Sequence, residues 1–168
     1  NLTNTGVDGA ITSYTIDTLK ETGSLNNTGN GIYVLDLSTE NKPVGSYAIV
    51  VHIKKNKFSE VPCVVFLEIM KRPTKLKLLT PQSVEVSVGE SVSFEFNLTD
   101  ELNGIGLNFT INYSWTYGSG TLQLIGNGIY RLTIPTDNIA RGTYPITITC
   151  STDNWTVQSI TITLSRFS

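Results

Sequence analysis

Between residues 91 and 166, large apolar residues fall on every second position, in short runs separated by turn residues. Val92, Phe94, Phe96 and Leu98 alternate with Ser93, Glu95, Asn97 and Thr99. Leu107, Phe109, Ile111, Tyr113 and Trp115 alternate with Asn108, Thr110, Asn112, Ser114 and Thr116. Tyr144, Ile146, Ile148 and Cys150 alternate with Pro145, Thr147 and Thr149, and Ile160, Ile162 and Leu164 with Thr161, Thr163 and Ser165. A period of two with one apolar face marks a half-buried strand. Thr dominates the outward positions, where a β-branched polar residue suits a solvated pleat. No stretch shows the i, i+3, i+4 spacing of an amphipathic helix. The pattern predicts strands at about 75–88 (with a break), 91–99, 106–116, 120–125, 128–134, 142–150 and 156–166. Tyr117-Gly118-Ser119-Gly120 and Gly126-Asn127-Gly128 supply the turn residues between them.

The same pattern occurs twice. Gly29-Asn30-Gly31-Ile32-Tyr33 returns 97 residues later as Gly126-Asn127-Gly128-Ile129-Tyr130. That spacing also carries Gly45-Ser46-Tyr47 onto Gly142-Thr143-Tyr144, Ile49 and Val51 onto Ile146 and Ile148, Phe58 onto Trp155, and Leu67 onto Leu164. The chain is therefore two tandem copies of one all-β unit, 1–72 and 73–168, joined by the short linker Lys71-Arg72-Pro73-Thr74. Pro73 should end the last strand of the first copy, and so short a linker should give an extended, semi-rigid pair. Short strands of this number in a unit of this size suggest a two-sheet, immunoglobulin-like sandwich. At the front, Asn1-Leu2-Thr3 matches Asn97-Leu98-Thr99 at a spacing of 96. Nothing in the first copy corresponds to residues 74–96, so that copy should lack its first (A) strand and most of its second (B) strand. Either the chain is an excerpt of a longer repeat protein, or another subunit donates the missing strands.

The second copy resembles the immunoglobulin-like repeats of large prokaryotic surface proteins. The residues that carry the resemblance are Val86-Ser87-Val88-Gly89-Glu90-Ser91-Val92-Ser93-Phe94, Leu98-Thr99-Asp100, Gly126-Asn127-Gly128-Ile129-Tyr130-Arg131-Leu132 and Gly142-Thr143-Tyr144. Modules of this kind occur in bacterial adhesins and in archaeal surface and S-layer proteins. The resemblance implies a stalk, lattice or adhesion role at the cell surface and brings no catalytic residues with it.

Charge and composition narrow the function classes. Only 15% of the 168 residues are charged and the formal net charge is -2, so no basic surface is available for nucleic acid. With 39% hydrophobic residues the chain can bury a core. No apolar run approaches the roughly 18 residues of a membrane helix. The chain starts without Met or a leader, so it should be a mature chain or a piece of a longer one. It carries no CxxC, HExxH, GxSxG or GxxxxGK[ST] motif and one histidine, His52, expected outward and solvated. No enzyme is expected.

Six sequons lie at Asn1, Asn26, Asn97, Asn108, Asn112 and Asn154. Strand parity puts Asn97, Asn108 and Asn112 on the outward face, where a glycan must point. Glycosylation would place the protein outside the cell, although Asn- and Thr-rich sequences also form sequons by accident. Asp100, Glu101 and Asp153 should gather at one end of the second copy, where carboxylates suit calcium. The alternative is ordinary solvated turn acids, and no DxDxDG loop is present. No other cofactor is implied. Cys63 and Cys150 align with apolar positions of the other copy. In an end-to-end tandem they lie about one sandwich length apart, roughly 25 Å, and a disulfide needs Cα atoms within about 7 Å; no disulfide is expected. Phe58 and Trp155 share a repeat position and should plug the corner before the last strand. Together these features point to a non-catalytic structural module of an extracellular surface protein: a stalk, S-layer or filament element that contacts neighbouring copies or modules. The alternative is an adhesin or receptor ectodomain that binds a ligand through its loops.

Overall fold

The computed structural model describes residues 6–167, and of Val61 the backbone alone. The chain divides into two compact all-β units, Asn1–Met70 and Lys71–Ser168. The first unit contains β1 (Ile11–Ile16), β2 (Glu21–Gly23), β3 (Asn26–Gly29), β4 (Ile32–Val34), β5 (Gly45–Lys54) and β6 (Val61–Ile69). Its main sheet runs β2-β1-β5-β6, and β3 and β4 form a separate hairpin. The second unit contains β7 (Arg72–Leu78), β8 (Ser83–Val86), β9 (Ser91–Asp100), β10 (Asn112–Trp115) and β11 (Gly118–Thr121). It continues with β12 (Gln123–Gly126), β13 (Ile129–Pro135), β14 (Gly142–Thr149), β15 (Trp155–Thr156) and β16 (Ile160–Arg166).

Topology makes the second unit an immunoglobulin-like sandwich. One sheet has the order β12-β13-β9-β7-β15 and the other β11-β10-β14-β16-β8. The leading segment serves both: β7 is antiparallel to β9, and β8 then lies parallel to β16. The crossing falls at Thr80-Pro81-Gln82, where Pro81 has no N–H to give to a ladder. Residues 71–74, expected as a linker, mostly belong to β7, whose start also pairs with β15. The segment expected as one strand at 120–125 is two, β11 and β12, in opposite sheets, with buried Leu122 between them.

Strand β9 closes the core. It pairs with β13 from Ser91 to Asn97 and with β7 on its other edge. Phe94, Phe96 and Leu98 are fully buried against Tyr130, Leu132, Ile146, Ile148, Ile162 and Leu164. Each such side chain contributes about 1.5–3 kcal/mol through burial.

The strand expected at 106–116 forms only at its end, as β10. Residues 106–111 keep apolar side chains on the core, but apart from one bridge between Thr99 and Gly106 they join no ladder. Instead the Tyr130 hydroxyl accepts the Phe109 N–H at 2.6 Å and faces the carbonyls of Leu107 and Phe109 at 2.9 and 3.0 Å. The first unit repeats this corner. The Tyr33 hydroxyl accepts the Ala10 N–H at 2.9 Å and donates to the Val7 carbonyl at 2.8 Å. The Asp8 carboxylate accepts the Gly31 N–H, as the Asn108 side-chain oxygen accepts that of Gly128. Gly6 and Gly106 pass so close to the backbone of Asn30 and Asn127 that a Cβ would sit 1.7 and 2.5 Å from the carbonyl oxygens. Glycine is therefore required at both positions.

This corner corrects the alignment at the front of the chain. Gly6-Val7-Asp8 corresponds to Gly106-Leu107-Asn108, a spacing of 100 rather than 96. Tyr14 faces Gly23 across β1 and β2 as Tyr113 faces Gly120 across β10 and β11, and each ring packs over its glycine. Asn1-Leu2-Thr3 lies outside the described residues. Among the described residues, the first unit has no counterpart of β7, β8 or β9. A tyrosine corner also recurs: Tyr47 donates to the Pro43 carbonyl and Tyr144 to that of Ala140, each four residues back.

Phe58 and Trp155 differ despite sharing a repeat position. Trp155 is half-buried against Phe109, with ring centroids 5.8 Å apart. Phe58 is 59% exposed and is no plug, because the counterpart of Phe109 is Ala10, too small to stack on.

Replacing Tyr130 with Phe strands the part-buried Phe109 N–H and should destabilise the second unit by about 1–3 kcal/mol. Tyr33→Phe should leave that transition in place. Chemical denaturation followed by the fluorescence of Trp115 and Trp155, both in the second unit, measures the difference; equal midpoints for Tyr130→Phe and the parent would refute the corner's role.

Candidate functional site

The first unit contains an open apolar groove of about 430 Å³. Ile49, Val51 and Ile53 of β5 and Cys63, Val65 and Leu67 of β6 form its floor, and Leu25, Tyr33, Leu35 and Leu37 form its wall. Each has a counterpart 97 residues later, and nearly all of those are core. Val65 is 47% exposed whereas Ile162 is fully buried. Tyr33, Leu35 and Leu37 are half-buried whereas Tyr130, Leu132 and Ile134 are buried. The cause is a single element: in the second unit β9 lies across these positions, and the described first unit has no equivalent.

The backbone of the two walls differs as well. β13 holds seven residues against β9, whereas β4 holds only three. Tyr33, Leu35 and Leu37 still alternate with exposed Val34, Asp36 and Ser38 along the wall. Among the described residues the outer edge of β6 has no neighbouring strand, whereas β16 is flanked by β8. On its outward face β6 carries exposed Val64 and Phe66 where β16 carries Thr161 and Thr163. An apolar edge of this kind is a template for strand pairing.

The other candidate residues do not form one site. Asp100 is 2% exposed and its carboxylate is 2.5 Å from the Arg72 guanidinium. Burial alone would raise its pKa; the Arg72 pairing, the Leu102 N–H and Asn103 outweigh that and hold it below the ordinary carboxylate value. Arg72 also lies over the Trp155 ring, 5.4 Å from its centroid. Glu101 and Asp153 are exposed. Among the described residues no three His, Cys, Asp or Glu side chains gather to hold a metal ion. His52 is on the outward face of β5, 2.9 Å from Glu60. Neither cysteine is in a disulfide: Cys63 is exposed in the groove, and Cys150 is half-buried, with its thiol pKa raised by burial. A second cavity, about 340 Å³, lies beside Tyr113, Trp115, Tyr117 and Asp137 in the second unit. The Tyr117 hydroxyl is engaged by Tyr144 and the Ala140 N–H.

Asn26, Asn108, Asn112 and Asn154 are exposed and Asn97 is half-buried. Asn108 is not on β10; its side-chain oxygen binds the Gly128 N–H. Asn1 lies outside the described residues.

No protein-family model and no curated protein matches the chain. Solved structures do resemble it. Domains 4 and 5 of the S-layer protein SbsC share 17% identity over 74% of this chain and 66% of that one, with a TM-score of 0.41. The endo-β-1,4-mannanase of Thermotoga petrophila shares 16% identity over 60% of this chain and 20% of that one, at 0.43. Fibronectin(III)-like modules of Clostridium thermocellum CbhA share 13% over 99% and 81%, also at 0.43. The chain thus spans less than two thirds of the length of the first two. At scores this low the fold assignment rests on the strand topology itself. No helix among the described residues is long and apolar enough to cross a membrane.

The Asp100 pair gives a pH dependence. A depressed carboxyl pKa stabilises the fold above the unfolded value of about 3.9, and that contribution is lost as pH falls through the folded value. Asp100→Asn should therefore lower Tm at pH 6 and flatten its decline below pH 4, as read by thermal melts across pH. An unchanged acid limb would show that Asp100 does not link folding to pH.

Proposed function

We propose that the chain is a non-catalytic structural module of an extracellular surface protein, a building block of a stalk, S-layer or filament. The observation that carries this reading is a tandem of two homologous all-β units whose outward faces carry exposed sequons. Among the described residues the first unit presents an apolar groove and an apolar outer strand, β6, and such surfaces mark interaction sites. Neighbouring copies or modules of the same assembly are the partners that suit it. The exterior supports a location outside the cell: outward strand positions are rich in Thr and Asn, and Asn26, Asn112 and Asn154 are exposed sequons. At Asn108 the bond to Gly128 uses the side-chain oxygen and leaves the nitrogen, the atom that carries an N-linked glycan.

Peptide mapping by mass spectrometry of material purified from its natural source tests this reading. Sugar-sized mass increments are expected on peptides containing Asn26, Asn112 and Asn154. Unmodified asparagine at all the sequons would remove the support for an extracellular site.

A further inference from the structure

We propose that the aromatic cleft of the second unit, beside Trp115 and Tyr117, binds one ring of a neutral sugar. Comparison of the two units shows that the fold does not require this cleft. In the first unit the same corner is closed by an ion pair. The Lys42 ammonium lies 2.6 Å from the Glu21 carboxylate, which also accepts the Tyr14 hydroxyl at 3.1 Å. Glu21 pairs with Ile16 across β1 and β2, as Gly118 pairs with Trp115 across β10 and β11. Lys42 precedes Pro43, the acceptor of the tyrosine corner, as Ile139 precedes Ala140. The second unit therefore has Gly118 and Ile139 where the first has its ion pair. Ile139 is buried in the core, and a Cβ on Gly118 would meet nothing within 4 Å. Tyr113, Trp115 and Ile139, the counterparts of Tyr14, Ile16 and Lys42, line the cleft of about 340 Å³, a volume within the range of small-molecule sites. Every lining residue falls between 113 and 139, with described chain on both sides.

The lining has two faces of different chemistry. One is aromatic. The rings of Trp115 and Tyr117 lie 5.1 Å apart at 54°, and Tyr144 meets Tyr117 edge-on at 5.2 Å. The Tyr117 hydroxyl accepts the Ala140 N–H at 2.9 Å and lies 3.1 Å from that of Tyr144. The rings are thus held in place beforehand, and a ligand does not have to order them. Tyr117 is nevertheless 44% exposed. The other face is polar, with the exposed side chains of Thr133, Asp137 and Asn138. A pyranose ring has the same two-sided character. Its C–H groups carry partial positive charge and suit the negative face of an aromatic ring. Its hydroxyls donate to a carboxylate and both donate to and accept from an amide. Charge selects a neutral ligand. Arg166 donates to the Ile139 carbonyl, and its charge acts on the hydroxyls of Tyr117 and Tyr144. Asp137 opposes it from the polar face, so a ligand of either charge gains from one group and loses to the other.

Proton–nitrogen NMR spectra of the full chain test the proposal, because Trp115 and Trp155 each give an indole N–H signal. Trp115 lines the cleft, whereas Trp155 stacks on Phe109 and serves as an internal control. The probes are the methyl glycosides of glucose, galactose, mannose and N-acetylglucosamine, with choline as a cationic comparison. At least one glycoside should shift the Trp115 signal saturably, with a Kd on the order of 1 mM, and leave that of Trp155 in place. Asp137→Ala and Tyr117→Ala change exposed residues and should each weaken binding about tenfold, through a lost hydrogen bond to a charged group and a lost aromatic face. An unmoved Trp155 signal in each variant checks that the fold is kept. No saturable Trp115 shift with any of the four glycosides, or parental affinity in both variants, would overturn the proposal. A saturable shift with choline and none with the glycosides would overturn it in favour of a cation cage. The glycan mapping is a separate test, so the sugar site and the surface-module reading fall independently.

Discussion

Everything in the second unit depends on one strand lying between two others. β9 fills the middle of its sheet and sends Val92, Phe94, Phe96 and Leu98 into the space between the sheets. Its backbone holds β13 extended over seven residues, and its side chains seal the inner faces of β14 and β16. The same strand ends in Asp100, whose buried carboxylate fastens Arg72 at the start of β7. Core closure, sheet continuity and the tie to the leading segment thus pass through ten residues.

The first unit shows the same design with that element missing from the described residues. Its local devices are intact: the tyrosine over glycine, the Gly-Asn-Gly corner and the tyrosine corner at Tyr47 all recur. These devices set the path of the chain, yet they do not close a core. Among the described residues, Ile16, Tyr47, Ile49 and Val51 are the buried apolar residues there, against fourteen in the second unit. Among the described residues this leaves β6 with exposed apolar side chains on both faces.

Much of this was legible in the residues alone. Alternation located β9, β13, β14 and β16, because a half-buried strand leaves a period-two trace whatever its partner. The repeat at a spacing of 97 was legible because Gly31 and Gly128 have backbone conformations that favour glycine (φ 76° and 70°). Alternation could not place residues 106–111, since side chains that cap a core alternate as strand residues do, whether or not a ladder forms. The Tyr130 hydroxyl that holds that segment is distant in sequence from its partners. The front of the repeat was misaligned for a related reason: Asn-x-Thr recurs by composition, whereas the true anchor, Gly6 against Asn30, is a long-range backbone contact. The Asp100–Arg72 pair was hidden because a turn acid and a linker arginine carry no pattern that links them. Phe58 failed as a plug because its partner position holds Ala10.

The central claim is that β9 secures the wall of the second unit and that the described residues of the first unit supply no such strand to its counterpart. Native-state amide hydrogen exchange on the full chain tests it most directly, by comparing residues 32–38 with residues 129–135. Segments without a ladder partner open locally, whereas core strands exchange only on global unfolding. Residues 129–135 should exchange several orders of magnitude more slowly than residues 32–38. Equal, strong protection of the two segments would mean that the groove is already closed in solution and would contradict the account.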